Sequence, residues 1–340
     1  MTPAVASAAI ADFQQTFAAI RAEMARVVIG HEAAIETILT AFFAGGHVLI
    51  EGVPGIGKTL IVRSLAETLN LSFNRVQFTV DLMPADVTGT RIINETLEGR
   101  RELVFMPGPI FAHLVLGDEI NRATPKTQSA LLEAMAEQQV TAAGTSYRLA
   151  SPFFVLATLN PIEMEGTYQL PEAQLDRFLF KVLLDYPSEG ELIRILSSTT
   201  VAEPPTVRPV LSPDGAAARV EQLKRLVREV LVAPHVEQYV AGLVRLTTPA
   251  GARGDGEAET EVRRYVTYGA SPRGAQAMVL GAKVKALLAG RPHVTYDDVD
   301  GVAVAALRHR LVMSFAAEAA GVTSAHVIER VLVAARRLRS

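Results

Sequence analysis

The apolar residues of this chain follow two periods, which predict two kinds of element. They recur at three- and four-residue spacings over residues 8–26, which predicts an amphipathic helix. A second helix is predicted over residues 31–44, before the Gly45-Gly46 stop. Five short apolar runs predict strands: HVLIEG, FNRVQFT, AHLVLGD, PFFVLATLN and FLFKVLLDY. Most are continuous rather than alternating, which is typical of parallel strands covered by helices on both faces.

After Pro187 the pattern predicts helices only. They are predicted over residues 188–199, 212–230, 234–247, 272–289, 295–310 and 323–338. Residues 247–261, TTPAGARGDGEAETE, are polar and rich in glycine, which predicts a mobile loop. We therefore expect an α/β domain over residues 1–187 and an all-helical domain over residues 188–340.

Two connections between the predicted strands carry extra residues. In the first, TGTRIIN and RELVFM flank ETLEGR, which predicts a β-hairpin over about residues 88–108. In the second, QQVTA and SYRLA flank AGT, which predicts another hairpin over residues 138–150. Neither hairpin is needed to build the sheet, so both are candidate functional insertions.

Composition narrows the class of protein. The 340 residues are 49% hydrophobic and include no cysteine, which excludes disulfides and thiolate metal sites. The net charge of −3 gives no electrostatic case for binding nucleic acid or an anionic membrane. No apolar run reaches the ~18–20 residues that span a bilayer, and the N-terminus lacks the basic segment of a signal peptide. The expected location is the cytoplasm.

The stretch GVPGIGKT matches the phosphate-binding pattern G-x-x-x-x-G-K-[ST], between a predicted strand and a predicted helix. Its glycines let backbone N–H groups converge on an anion, and the helix N-terminus adds positive charge. Lys58 should reach the β- and γ-phosphates of a nucleotide, and Thr59 should hold Mg²⁺. The alternative is a glycine-rich turn with a solvated lysine. The residues expected to bind the nucleotide are Gly52, Pro54, Gly55, Ile56, Gly57, Lys58, Thr59 and Leu60.

Two other predicted strands end in polar residues, which should lie near the phosphate loop at the carboxyl edge of the sheet. AHLVLGD leads into Asp118-Glu119. Asp118 should hold Mg²⁺, and Glu119 should activate the attacking water; the alternative is a solvated strand end. Asn160 ends PFFVLATLN, and its amide should bond to the γ-phosphate or the water. The alternative is a turn-forming Asn before Pro161.

Two arginines lie where their charge needs an explanation. In GASPRG, Ser271 reads as a helix N-cap and Arg273 lies in the first turn, where the helix dipole disfavours a cation. A nucleotide phosphate near Arg273 would reverse that effect; the alternative is a solvated surface arginine. Arg122 either reaches a subunit interface or pairs with a local acid such as Glu119.

Together these stretches resemble the MoxR family of AAA+ ATPases over nearly the whole chain. The resemblance rests on VVIGHE, GVPGIGKT, LGDEINRA, ATLNPIEMEGTYQLPEAQLDRF and GASPRG. It implies an AAA+ P-loop NTPase core with a parallel five-stranded sheet of order 5-1-4-3-2 and a C-terminal helical lid. It also implies ring-shaped oligomers, usually hexamers, and places the two hairpins where this clade carries inserts.

The same resemblance assigns roles to single residues. It marks Asn160 as sensor 1, Arg177 as the arginine finger and Arg273, in the lid, as sensor 2. The residues that it places around the adenine are Val28, Ile29 and Gly30. Three positions depart from the commoner residues of the family without removing a group that ATP hydrolysis needs: His31, Gly117 and Leu159.

Arg177 lies directly before the fifth predicted strand. A chain enters a parallel strand at the amino edge of the sheet, whereas the phosphate loop and Asp118 lie at the carboxyl edge. Arg177 should therefore be too far from its own nucleotide and should act on that of a neighbour in a ring. The alternative is a local ion pair with Asp176 or Glu172.

The implied function is ATP hydrolysis, with ATP and Mg²⁺ as cofactors, by a chaperone that remodels or matures partner proteins. A protein with a von Willebrand A domain is the expected partner, and the client is not indicated. One alternative is the ATPase subunit of a metal chelatase. A DNA-acting motor or transcriptional activator is less favoured, because no DNA-binding module is recognisable. Glu119 argues against a nucleotide-binding protein without turnover.

Overall fold

The computed structural model describes residues 3–95, 101–142, 144–160 and 167–339. Five parallel strands form the central sheet. From one edge to the other they are β2 (Phe73–Gln77), β5 (Leu114–Asp118), β8 (Phe154–Leu159), β1 (Val48–Glu51) and β9 (Phe180–Leu183). If these five strands alone are numbered 1 to 5 along the chain and read from the β9 edge, their order is 5-1-4-3-2. The predicted topology is therefore confirmed.

Alternate residues of the strands pack into two different cores, because successive side chains of a strand point to opposite faces. Val48 and Ile50 belong to a core that continues into the C-terminal region, whereas Leu49 packs on the other face. Three helices cover the face of Val48 and Ile50: α1 (Pro3–Val27), α2 (Glu32–Ala44) and α3 (Lys58–Leu69). The face of Leu49 is covered by α5 (Pro125–Glu137). Burial on both faces explains the continuous apolar runs.

Two antiparallel hairpins lie outside the central sheet. The elements of the first are a short helix, α4 (Pro84–Thr88), and strands β3 (Gly89–Glu95) and β4 (Arg101–Pro107). Those of the second are β6 (Gln139–Ala142) and β7 (Thr145–Arg148). The hairpins contact each other where Phe105 stacks on Tyr147, with ring centroids 3.9 Å apart. The first hairpin's tip, 96–100, and residues 161–166 of the motif around Asn160 lie outside the described residues.

A short helix, α6 (Glu172–Leu175), precedes β9, and a helical lid follows it. The lid helices are α7 (Glu189–Thr199), α8 (Ala216–Glu229), α9 (Pro234–Leu246), α10 (Glu257–Tyr265), α11 (Pro272–Leu288), α12 (Tyr296–Leu307), α13 (Phe315–Ala320) and α14 (Ser324–Ala335). Short 3-10 helices cover Ile120–Arg122 and Arg336–Arg339. Within the described ranges, no helix combines the length and apolar character needed to cross a membrane.

The helical character of the lid is confirmed, but two predictions need correction in detail. The lid is not purely helical, because β10 (Val266–Tyr268) pairs with β11 (Val312–Met313). Strands of two or three residues are too short to show an alternating pattern. The predicted mobile loop at 247–261 contains the start of α10, which buries only Ala258 and Val262, a stripe too narrow to reveal a helix among polar residues.

Candidate active site

The phosphate loop lies between β1 and α3, at the carboxyl edge of the sheet. Gly55 and Gly57 have φ angles of 85° and 90°, in the left-handed region that side chains disfavour. Gly52 allows a close approach, because a Cβ there would lie 2.5 Å from the Ile56 side chain. Lys58 begins α3 and is nearly buried, and its Nζ donates to the Gly52 carbonyl over 2.6 Å. The lysine is thus held across the loop that the motif assigns to phosphate.

Asp118 ends β5 and is buried between the two neighbouring strands. From β2, the Arg75 Nη2 atom donates to Oδ2 over 2.6 Å, and from β8 the Thr158 hydroxyl donates to Oδ1 over 2.7 Å. Burial lowers the pKa of Lys58, and the negative charge of Asp118 opposes that change. The lysine ammonium therefore lies within electrostatic reach of this carboxylate.

Glu119 follows with a φ angle of 57°, which is uncommon for a residue with a side chain and recurs at functional sites. Its N–H donates to Thr158 Oγ1 over 2.8 Å, so one hydroxyl holds both acids. Its Oε2 accepts hydrogen bonds from Gln77 at 2.9 Å and Arg122 at 3.1 Å. Of the two interpretations of Arg122, the structure thus shows the local pair with Glu119.

Asn160 lies directly after β8 and is 3% exposed. Because β8 lies between β1 and β5, Asn160 shares the carboxyl edge with the phosphate loop and Asp118. The fold therefore gathers Lys58, Asp118, Glu119 and Asn160 from different parts of the chain at one edge of the sheet.

A cavity of about 390 Å³ opens beside the phosphate loop. Its lining includes two groups of residues predicted to bind the nucleotide. Val28 and Ile29 precede α2. The loop and α3 supply Pro54, Gly55, Ile56, Gly57 and Leu60. Tyr186, Leu192 and Ile195 complete the mainly apolar walls, which suit a flat base. Gly30, also predicted to lie around the adenine, is adjacent to the lid, because a Cβ there would lie 3.0 Å from Glu191 of α7. The glycine lets the first lid helix approach the cavity.

Arg177 and Arg273 lie at the opposite edge of the sheet. Both line a cavity of about 280 Å³ together with Gly46 and His47, which precede β1. Arg177 donates to the Leu132 carbonyl of α5 over 3.1 Å. Among the described residues no carboxylate forms an ion pair with it, so the alternative of a local pair is not seen there. The two arginines are thus neighbours, remote from the phosphate loop of their own chain.

Comparison with known proteins agrees with this geometry. Residues 47–180 match the family described as "ATPase family associated with various cellular activities (AAA)", and residues 258–331 match an AAA lid domain. The chain is 41% identical over 312 residues to "Chaperone MoxR1" of Mycobacterium tuberculosis, covering 91% of this chain and 79% of that protein. The chain belongs to the MoxR family of AAA+ ATPases. This MoxR-family chain is therefore a nucleotide-binding protein and an ATP hydrolase.

Two further relatives extend the match over nearly the full chain. "Protein MoxR" of Methylorubrum extorquens is 33% identical over 319 residues, covering 89% of this MoxR-family chain and 90% of that protein. The crystal structure of a presumed ATPase from Cytophaga hutchinsonii superposes with a TM-score of 0.86 at 37% identity, covering 97% of both chains. The likeness thus includes both the core and the lid.

Sequence reasoning missed four residues that organise the MoxR site: Arg75, Gln77, Thr158 and Arg310. Arg75 and Gln77 alternate along β2, so both reach the acids on the neighbouring strand, and that spacing was a usable signal. Arg310 lies in the lid and contacts Asp176, 134 residues away. No local pattern marks such a residue.

Proposed function

We propose that this MoxR protein is an ATP-driven chaperone whose hydrolysis is completed between neighbouring subunits. The observation that carries the proposal is the position of Arg177 and Arg273 at the sheet edge opposite Lys58. An arginine that stabilises the transferring phosphate must touch it. Arg177 is too far from its own nucleotide for this and therefore meets the γ-phosphate bound by a neighbour.

Within each subunit the other residues bind the nucleotide and prepare the water. Lys58 binds the β- and γ-phosphates, Asn160 orients the reacting groups, and Glu119 activates the attacking water. Gln77 and Arg122 hold the Glu119 carboxylate in place. Positioning and charge stabilisation supply most of the catalysis in phosphoryl transfer, so a fixed carboxylate matters.

The donor set beside the phosphate loop fits Mg²⁺. The Thr59 hydroxyl and the Asp118 carboxylate are hard oxygen donors, which this ion prefers. The buried carboxylate already accepts a hydrogen bond from the Arg75 guanidinium, so a cation beside it is compatible with the site. Thr59 and Asp118 would hold the ion, which would neutralise phosphate charge when bound.

The phosphate loop and the two arginines lie at opposite edges of the sheet, so subunits that share a catalytic centre must be arranged head to tail. Each copy presents its arginines to the phosphate loop of the next copy. Such a heterologous contact closes into a ring when the rotation between copies permits. We propose a homohexamer.

The relative from Mycobacterium tuberculosis is named a chaperone, and we propose that role here. The clients are proteins that need remodelling or maturation, including metal or cofactor insertion, and a protein with a von Willebrand A domain is the partner. The first hairpin supports an interaction with proteins, because its Ile93, Leu103 and Met106 side chains are more than half exposed.

The test of trans catalysis uses two inactive variants. Arg177→Ala should bind ATP but hydrolyse it at least about 1,000-fold more slowly, the loss typical of an arginine finger. Lys58→Ala should lose phosphate binding. A mixture at constant total protein should recover activity, because some mixed interfaces pair an intact loop with an intact arginine. The measurement is phosphate release.

The control is Arg225→Ala, which removes an exposed arginine of α8 and should leave the rate unchanged. Co-purification of differently tagged subunits verifies that mixed rings form. No recovery in verified mixed rings would reject the trans role of Arg177.

A further inference from the structure

Arg310, three residues after the end of α12, joins the lid to the segment that carries Arg177. Its side chain is 3% exposed. The guanidinium donates to Asp176 Oδ1 over 2.8 Å. It also donates to the backbone carbonyls of Asp176 at 3.0 Å, Phe178 at 2.7 Å and Leu179 at 3.0 Å. One lid side chain therefore binds the backbone on both sides of Arg177.

The planar shape of the guanidinium makes this contact restrictive. A buried charge is unfavourable unless it is paired and its N–H groups find acceptors. The donors of arginine lie in a fixed fork, so the carbonyls that satisfy them must keep one mutual arrangement. The backbone from Asp176 to Leu179 is thus held in one shape by Arg310.

The same ion pair reaches the second arginine. Ser271, the N-cap of α11, donates its hydroxyl to both carboxylate oxygens of Asp176, each at 2.9 Å. The hydroxyl oxygen also accepts the backbone N–H of Arg273 over 3.1 Å. Asp176 and Arg310 both line the cavity that contains Arg177 and Arg273, and both line a second cavity of about 300 Å³ next to it. The pair forms the shared wall between the two cavities.

We propose that Arg310 is a positioning residue that holds Arg177 and Arg273 together in the arrangement that a neighbour's γ-phosphate requires. This inference rests on the proposed function, because it presupposes that the arginines act between subunits. The guanidinium donors of Arg310 are taken up by Asp176 and by backbone carbonyls, so Arg310 is not proposed to contact the nucleotide itself. It acts through Asp176 and the backbone that Asp176 shares with Arg177.

The test replaces the fork by an unbranched apolar side chain, Arg310→Met. The phosphate loop of the variant is intact, so its Kd for ATP should be unchanged. Because the arginines lose their arrangement, kcat should fall about 10- to 100-fold. Mixing with Lys58→Ala should restore activity, whereas mixing with Arg177→Ala should not. A role in stability alone would not produce this one-sided rescue.

Two further variants serve as controls. Arg291 donates to both carboxylate oxygens of Asp298 in the same lid, at 2.8 and 2.7 Å, without contacting Asp176. Arg291→Met should therefore lower Tm and leave kcat unchanged. Arg310→Lys keeps the charge but loses the planar fork, so its kcat should lie between those of the parent and Arg310→Met.

Wild-type kcat in Arg310→Met would overturn the positioning role, as would a loss that Lys58→Ala does not rescue. If Arg310→Met fails to fold, the same mixtures with Arg310→Lys decide the question. Failure of both variants to fold would assign Arg310 a structural role and reject the proposal. If Arg177→Ala and Lys58→Ala do not complement each other, the proposed function itself fails, so the two failures are distinguishable.

Discussion

At the scale of single residues, protein side chains hold the two acids of the candidate site in place. The Thr158 hydroxyl donates to Asp118 and accepts from the Glu119 N–H, so the two acids are fixed relative to each other. Gln77 and Arg122 then fix the Glu119 carboxylate. Groups that are already oriented need no reorganisation during the reaction, which is an important source of catalytic power.

Glu119→Gln tests the activation of the water. The amide keeps the size of the side chain but is not a base, so kcat should fall about 10²- to 10⁴-fold. The Kd for ATP, measured by equilibrium binding, should change little. Glu137→Gln, at the exposed end of α5, is the matched control and should keep the parental rate. Hydrolysis by Glu119→Gln at the parental rate would show that another group activates the water.

The predictability of each residue depends on how local its signal is. Lys58 and Asp118 were predictable, because a short motif or a strand end marks each of them. Tyr186 and Leu192 were not, because their place in the cavity wall depends on how the lid folds back over the core. Arg310 is the extreme case, since its acceptors around Arg177 lie more than 130 residues earlier in the chain.

At the scale of elements, His47 ties together a helix and two strands. It precedes β1, its Nδ1 accepts the Val155 N–H of β8 over 3.0 Å, and its Nε2 lies 3.2 Å from the Met135 carbonyl of α5. A neutral ring with the proton on Nε2 satisfies both partners. A second proton on Nδ1 would face a donor. Burial lowers the pKa of His47 to about 4.

This lowered pKa makes stability depend on pH. The unfolded chain takes up the proton near pH 6.5, whereas the folded chain does so near 4. The stability that neutral His47 contributes is therefore fully present above pH 6.5 and is lost as the pH falls from 6.5 towards 4. The free energy of unfolding should decrease by up to about 1.4 kcal/mol per pH unit in that window.

The measurement is urea unfolding at pH 7, 6 and 5 for the parent and for His47→Gln. The variant should be less stable at pH 7 but should show the shallower slope. Buried His309, whose pKa is also lowered, serves as the internal control, because it contributes with the same sign in both proteins. Identical slopes would mean that His47 does not titrate in this window.

At the scale of the whole molecule, the residues of the proposed catalytic centre lie at two opposite edges of the sheet. The phosphate loop lies at one edge, and Arg177 and Arg273 lie at the other. The sequence predicted this separation for Arg177 because the direction of parallel strands orders the edges. It did not predict that Arg273 would join Arg177, because that depends on how α11 packs against the core.

Assembly should therefore respond to the nucleotide. A γ-phosphate that contacts a neighbour's arginines links two subunits, so ATP should shift the mass in solution upwards. Light scattering of Glu119→Gln, which retains ATP, should approach six times 36.5 kDa, about 219 kDa. A double variant that carries both Glu119→Gln and Arg177→Ala should show a smaller increase in mass with ATP. A mass of 36.5 kDa with and without ATP would exclude the ring.

The helix α5 has a mechanical consequence for such a ring. It begins at Pro125, close to the Glu119–Arg122 pair, and ends at Glu137, where the second hairpin begins. Midway, its Leu132 carbonyl holds Arg177. If Arg177 meets a neighbour's nucleotide as proposed, this helix of about 20 Å would have one end beside a subunit's own ATP and its middle beside the ATP of the next subunit. In that arrangement a movement of α5 during hydrolysis at one site would also shift Arg177 at the other site, so hydrolysis in neighbouring subunits would be coupled rather than independent.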